Sequence, residues 1–151
     1  TIKTMAQVKK SMLVSHSAET MFQLVDAVEK YPEFLPWCGG TEIVERNDEV
    51  THAVIKIDYH GIKQSFATRN RKEGHEWMHI EMVQGPFKHM VGHWHFKPLS
   101  PDACRIEFNL EYEFSNHLLE KLVGPVFHYI ANTFVEAFLV RADELLGSAN
   151  A

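Results

Sequence analysis

The sequence predicts an α+β fold in which a curved antiparallel sheet wraps around one long C-terminal helix. Three observations predict it. Cys104, Ile106, Phe108, Leu110, Tyr112 and Phe114 alternate without a fault with Arg105, Glu107, Asn109, Glu111 and Glu113. A strand turns successive side chains to opposite faces, so this segment is a ribbon with one oily and one wet face. Directly after it the period becomes helical. Leu118, Leu119, Leu122, Val123, Val126, Phe127, Ile130, Phe134 and Phe138 recur at spacings of three and four. Turn signals before the ribbon recur about every dozen residues, which marks a meander of hairpins rather than crossover units. The helix must then cover the oily face of the sheet.

Gln7 to Val14 reads as the first strand. Ser17 is suited to cap a helix, because its hydroxyl can accept from free amides of the first turn, and Glu19 suits the positive helix end. Met21, Phe22, Leu24, Val25 and Val28 form the apolar stripe of that helix. Tyr31-Pro32 should end or re-aim it, since a residue before proline resists the helical region, and Pro36 repeats the signal. Tyr31 to Cys38 is thus an aromatic-rich elbow. Turns follow at Asn47-Asp48, His60-Gly61, Glu73-Gly74, Gly85-Pro86 and Pro98 through Asp102. Between them Ala53, Ile55, Ile57 and Tyr59 share one face, as do Met78, Ile80 and Met82, and Met90, Gly92, Trp94 and Phe96. Phe66 points inward with Thr68 and Asn70 beside it. Ser115 or Asn116 should cap the final helix, Gly124-Pro125 should kink or break it, and Gly147 should close it. The tail from Ser148 to Ala151 should fray. The result is a single domain, residues 1–151 with a core of about 8–147, of helix-grip architecture.

Composition narrows the function classes. Fifteen Lys and Arg stand against twenty Asp and Glu, a net charge of −5. This argues against broad nucleic-acid binding and against DNA as a partner, while leaving room for a local basic patch. Ten His mean that net charge rises as pH falls toward 6. Cys38 and Cys104 lack metal spacing, and Cys104 lies on the oily face, so a buried free thiol and a reducing compartment are expected. No continuous apolar run reaches membrane-span length and no signal peptide is visible over Thr1 to Val14. The expected location is cytoplasmic, with membrane contact at most peripheral at the inner membrane.

Four segments carry a family resemblance. Tyr31-Pro32-Glu33-Phe34-Leu35-Pro36-Trp37-Cys38, Gly85-Pro86-Phe87, the run from Gly92 to Leu99, and Cys104-Arg105-Ile106-Glu107-Phe108 resemble the coenzyme-Q-binding START-like family. The likeness spans about Val8 to Gly147 and is strongest to the bacterial ribosome-association toxin branch. The resemblance implies a START/Bet v 1-like fold. It implies one of two roles: carrying ubiquinone in support of respiration, or binding the large ribosomal subunit and blocking subunit joining. No residue separates the two.

Read from the residues, the inner surface is richer in large aromatics and Met than a small core requires. The ligand-binding candidates are Tyr31, Phe34, Trp37, Tyr59, Phe66, Met82, Phe87, Met90, Trp94, Phe96, Phe108, Tyr112, Phe127, Ile130 and Phe134. Met adapts its shape, while Tyr and Trp add a polar tip suited to a quinone carbonyl. Each methylene of an isoprenoid tail would add about 0.8 kcal/mol on burial. The leading expectation is a non-enzymatic binder of ubiquinone or a related polyprenyl lipid, with no required cofactor and the elbow as lid or entrance. The plainer explanation is that these residues simply form the core.

Other chemistries are weaker. His89, His93 and His95 share a strand face, and His-x-His can ligate zinc. With a hairpin centred near Ser100, however, His93 should oppose Glu107 and His89 should oppose Glu111, which accounts for them without metal. A cyclase or hydrolase needs an inward acid and base, and the inward candidates are only Tyr59, Tyr112 and Cys104. A ribosomal contact would fall on Lys63, Arg69, Arg71, Lys72 and Lys88, with Lys9 and Lys10 near the start. Charges that keep a sheet face solvated and its edges protected are the alternative for that patch.

Overall fold

The computed structural model describes residues 5–147. Its elements are β1 (Ala6–Val14), α1 (Ala18–Asp26), a 3-10 turn (Val28–Glu33), β2 (Cys38–Arg46), β3 (Val50–Tyr59), β4 (Ile62–Glu73), β5 (Trp77–Gln84), β6 (Phe87–Ser100), β7 (Ala103–Phe114) and α2 (His117–Leu146). The strands form one seven-stranded sheet in the order β1-β7-β6-β5-β4-β3-β2. Every neighbouring pair is antiparallel. The first strand therefore skips across to join the last, from Ala6↔Tyr112 through Val14↔Cys104. Its even parity follows that of β7, so Val8 and Val14 are buried with Leu110 and Cys104.

Alternation fixes which side of each strand enters the core. Trp94, Phe96, Ile106, Phe108 and Met78 are all but fully buried, and Phe138 of α2 meets them from the other side. Phe138 lies 5.7 Å from Trp94 and 5.4 Å from Tyr31, centroid to centroid and edge-on, a favoured aromatic geometry. Gly92 is the exception in the β6 face. A side chain there would put Cβ 2.3 Å from the Asn109 carbonyl oxygen and 2.9 Å from Leu110 Cδ1. A backbone atom cannot step aside, so β6 and β7 need a glycine at this point.

The helix caps follow the sequence. Ser17 Oγ accepts from the Thr20 amide at 3.1 Å, and Asn116 Oδ1 accepts from the Leu119 amide at 2.9 Å. Gly147 ends α2 with φ +80 while its amide donates to the Asp143 carbonyl. The elbow begins as a 3-10 turn that contains Pro32, held by the Tyr31 hydroxyl donating 2.5 Å to the Val25 carbonyl. Both cysteines are buried free thiols. Burial pushes the Cys104 thiol up to about 11. The tail from Ser148 lies outside the described residues.

Three expectations need correction. First, α2 is not divided at Gly124-Pro125 but runs through Pro125 as one 30-residue helix. Pro125 is itself exposed, while Val123 and Phe127 are buried on either side, and their burial offsets the lost backbone bond. Second, Leu118 and Leu122 are exposed, on the side of α2 opposite Phe127, Ile130 and Phe138, together with Tyr129 and Val140. The helix is apolar on both sides, so spacing alone could not say which leucines enter. By length and composition α2 also passes as a membrane span, although its apolar residues form no unbroken run of that length. Third, β6 continues through Pro98 to Ser100, and the turn is centred on Pro101-Asp102 with a register irregularity between Pro98 and Ser100. Shifting a hairpin centre by one residue keeps the faces and moves each partner by two. His93 therefore opposes Asn109, His95 opposes Glu107 and His89 opposes Glu113.

Candidate functional site

Between the inner sheet face and α2 lies a cavity of about 70 Å³. Strand β4 supplies Phe66, Thr68 and Asn70, β6 supplies Met90 and Trp94, and β7 supplies Phe108 and Leu110. Helix α2 contributes Phe127, Ile130, Ala131 and Phe134, and the elbow contributes Val28, Tyr31 and Trp37. Ile55 and Ile80 complete the wall. Nine predicted ligand residues therefore meet around one space: Tyr31, Trp37, Phe66, Met90, Trp94, Phe108, Phe127, Ile130 and Phe134.

Six other candidates lie elsewhere. Phe34 packs edge-on against Tyr31 and Phe138, beneath the Arg141 guanidinium at 5.1 Å. Phe96 stacks on the far side of Trp94 and meets Phe22. Phe87 and Tyr112 close a solid aromatic cluster with Phe114 and Phe127. Tyr59 is half-buried and stacked on Tyr129, and Met82 is half-buried outside the cavity wall. Sequence reasoning passed over Val28, Ile55, Thr68, Asn70, Ile80, Leu110 and Ala131 as lining. Strand alternation marked five of these, Ile55, Thr68, Asn70, Ile80 and Leu110, as inward, and only a bias toward large aromatics kept them out.

The elbow is wall rather than open entrance. Tyr31 and Trp37 are 3% and 4% exposed. Burial holds the Tyr31 phenol far above its ordinary range, with the nearby Asp26 carboxylate adding to the effect. The cavity falls well short of the roughly 300–1,000 Å³ that suits drug-sized ligands. A polyprenyl quinone does not fit in it as it stands. The lining contains no carboxylate, imidazole, amine or thiol.

Along the inner face of β4 the wall turns polar, from Phe66 through Thr68 and Asn70 to Lys72. Lys72 was expected on the surface with Arg69 and Arg71. It is buried instead, because it continues the inward parity of Phe66. Its amine lies 3.1 Å from Asp26 Oδ2, and Thr51 donates 2.6 Å to Asp26 Oδ1. Arg46 donates to the Asp26 carbonyl oxygen at 2.7 Å and pairs with Glu29 at 2.7 Å. One aspartate at the end of α1 thus ties together β2, β3 and β4.

The outer sheet face carries a different chemistry. Pairing places Arg71 beside His79, His79 beside His93, His93 beside Asn109 and Asn109 beside Lys9. One row therefore crosses β4, β5, β6, β7 and β1. Trp77 lies next to it, stacked on His95 at 3.9 Å and 6° and on His79 at 5.7 Å and 3°. Arg71 and Lys9 are exposed and make no ion pair among the described residues. Arg69 approaches Glu45 at 3.7 Å, Lys88 approaches Glu113 at 3.6 Å, and Lys63 is exposed at the far end of β4. His93 shares a 3.0 Å hydrogen bond with Asn109. Partial burial, then the proximity of His79 and His95, holds its pKa below the usual histidine value. His95 contacts Glu76 at 3.0 Å and Glu107 at 3.9 Å. Among the described residues no three His, Cys, Asp or Glu converge as a metal site.

Known proteins place this architecture. The family described as polyketide cyclase / dehydrase and lipid transport matches residues 14–139. The ribosome association toxin RatA of Escherichia coli K12 is 44% identical over 141 residues, covering 93% of this chain and 89% of that protein. The mitochondrial coenzyme Q-binding protein COQ10 homolog B of Xenopus laevis is 25% identical over 142 residues, covering 91% of this chain and 58% of that one. Among solved structures, the Zhui aromatase/cyclase of Streptomyces sp. R1128 superposes with a TM-score of 0.76 at 16% identity, over 93% of this chain and 94% of that one. At that identity the superposition speaks to fold alone. A seven-stranded antiparallel sheet gripping its last helix, with the family match across most of its length, makes this chain a START-like member of the polyketide cyclase/dehydrase and lipid transport family.

Proposed function

We propose that this protein associates with the large ribosomal subunit through its outer sheet face and blocks subunit joining. The observation that carries this reading is the row Arg71–His79–His93–Asn109–Lys9, flanked by Arg69 and the Trp77 stack. Arginine and lysine suit RNA phosphates, and the half-buried Trp77 and imidazole rings present edges and faces that suit unstacked bases. A patch this local is compatible with the overall charge of −5. The 44% identical relative, a ribosome association toxin by name, points the same way. The contact belongs in the cytoplasm and requires no catalysis, and the cavity lining offers no acid–base pair. Pelleting with purified large subunits should be salt-sensitive, as phosphate contacts require. Arg69→Glu with Arg71→Glu should reduce it at least tenfold. Pelleting that survives this double change removes the face from the account.

A second, compatible role is supported by the cavity, whose wall is hydrocarbon apart from a few polar tips. It suits a hydrophobic molecule smaller than ubiquinone, or a polyprenyl lipid once the wall opens. Mass spectrometry of solvent extracts from the purified protein should show a stoichiometric apolar compound. A protein that yields none, and whose melting is unmoved by added quinone, counts against this role.

A further inference from the structure

The cavity wall has one chemical demand that its own packing leaves unmet. Asn70 is 9% exposed, and its Nδ2 donates to the Met78 sulfur at 3.6 Å. Its Oδ1 is a buried side-chain oxygen with no hydrogen-bond partner. An acceptor shut away from water without a donor is unfavourable, and such atoms are rare in folded proteins. Turning the amide over does not help, because it would set the oxygen against the thioether, another acceptor. The nearby polar groups are committed: Lys72 to Asp26, and the Tyr31 hydroxyl to the Val25 carbonyl. Thr68, two residues back on the same strand face, also lines the cavity and brings a hydroxyl to the same end. The lining also holds an aromatic pair, Phe66 and Phe127, 6.0 Å apart.

We propose, building on the cavity-binding role above, that the space takes a small ring bearing a hydroxyl. The ligand O–H donates to Asn70 Oδ1 while the ring lies toward Phe66 and Phe127. A quinone ring carries acceptors only and leaves Asn70 Oδ1 unanswered, whereas a phenol or hydroquinone donates to it, so the site favours the reduced ring over the oxidised one. Size restricts the ligand further. The cavity of about 70 Å³ is under half of the ~150 Å³ that holds benzene in an engineered protein core, so a ring must displace part of the wall. Met90, unbranched and adaptable, is the lining residue suited to move.

The test compares phenol with toluene, which have nearly the same shape, by calorimetry and amide NMR on the full chain. Water holds phenol better than toluene, so a purely apolar cavity prefers toluene. The expected result is phenol at least fivefold tighter in the unmodified protein, with the order reversed in Asn70→Leu. The side-chain amide signals of Asn70 should also shift on adding phenol, which reads the contact directly if Asn70→Leu does not fold. Tighter binding of toluene to the unmodified protein overturns the inference and leaves the cavity-binding role standing. Failure of both probes to bind also overturns the inference and assigns Asn70 Oδ1 to a water only, while the cavity-binding role stands or falls with the solvent extracts and quinone melting.

Discussion

At the residue scale, the outer row is tuned by one histidine. His93 is held below its ordinary pKa first by partial desolvation and then by His79 and His95, against a smaller opposing pull from Glu107. The unfolded chain, with His near 6.5, binds more protons than the folded one between the depressed value and about 6.5. Stability from this group is therefore fully present at neutral pH and declines as pH falls below about 6.5. Chemical denaturation at pH 7 and pH 5 should show a smaller loss for His93→Gln than for the unmodified protein. Equal losses would show that His93 is not among the groups that titrate with folding. The face on which His93 lies was legible from alternation along β6. Its partner was not, because the hairpin centre shifted by one residue and exchanged Glu107 for Asn109. The same limit applied to Lys72. Alternation from Phe66 already sent it inward, and only the habit of placing lysine in water said otherwise.

At the element scale, the end of α1 is anchored to the sheet by a nearly buried ion pair. Lys72 is 5% and Asp26 17% exposed at the side chain. Such pairs add little net stability when intact, but removing one partner strands the other. Lys72→Met should therefore destabilise by about 3 kcal/mol, and Lys72→Met with Asp26→Leu by less than the single change. Urea unfolding of the unmodified protein, the single and the double variant checks this; a double variant as destabilised as Lys72→Met, or more so, would contradict it. The elements themselves were readable in order, since caps at Ser17 and Asn116 and turns at His60-Gly61 and Glu73-Gly74 each leave a local chemical mark. Helix α2 shows where local marks fail. Pro125 signals a break, but burial of Val123 and Phe127 on either side keeps the helix whole. Its two apolar sides also made Leu118 and Leu122 look like core.

At the scale of the whole molecule, the sheet has two faces with two chemistries. The inner one closes on α2 and leaves about 70 Å³, lined largely by aromatics with Thr68 and Asn70 among them. The outer one holds arginine, histidine, asparagine and lysine in register across five strands, with Trp77 beside them. The sequence showed that aromatics gather inside. It could not show how completely they fill the space, because volume depends on how Trp94, Phe108 and Phe134 nest against one another. Nor could it assemble the outer row, whose members come from strands distant in the chain and meet only through register. Nine of the predicted inner residues do share one cavity wall, since parity along β4, β6 and β7 was sound.

We propose that the outer face, and not the cavity, engages the ribosome. The most direct measurement of this is pelleting with isolated large subunits at low and at raised salt, comparing the unmodified chain, Arg69→Glu with Arg71→Glu, and Asn70→Leu. Salt-sensitive pelleting is expected for the unmodified chain and Asn70→Leu, with its loss in the double arginine variant. Unchanged pelleting of the double arginine variant, or no pelleting of the unmodified chain at low salt, would contradict it.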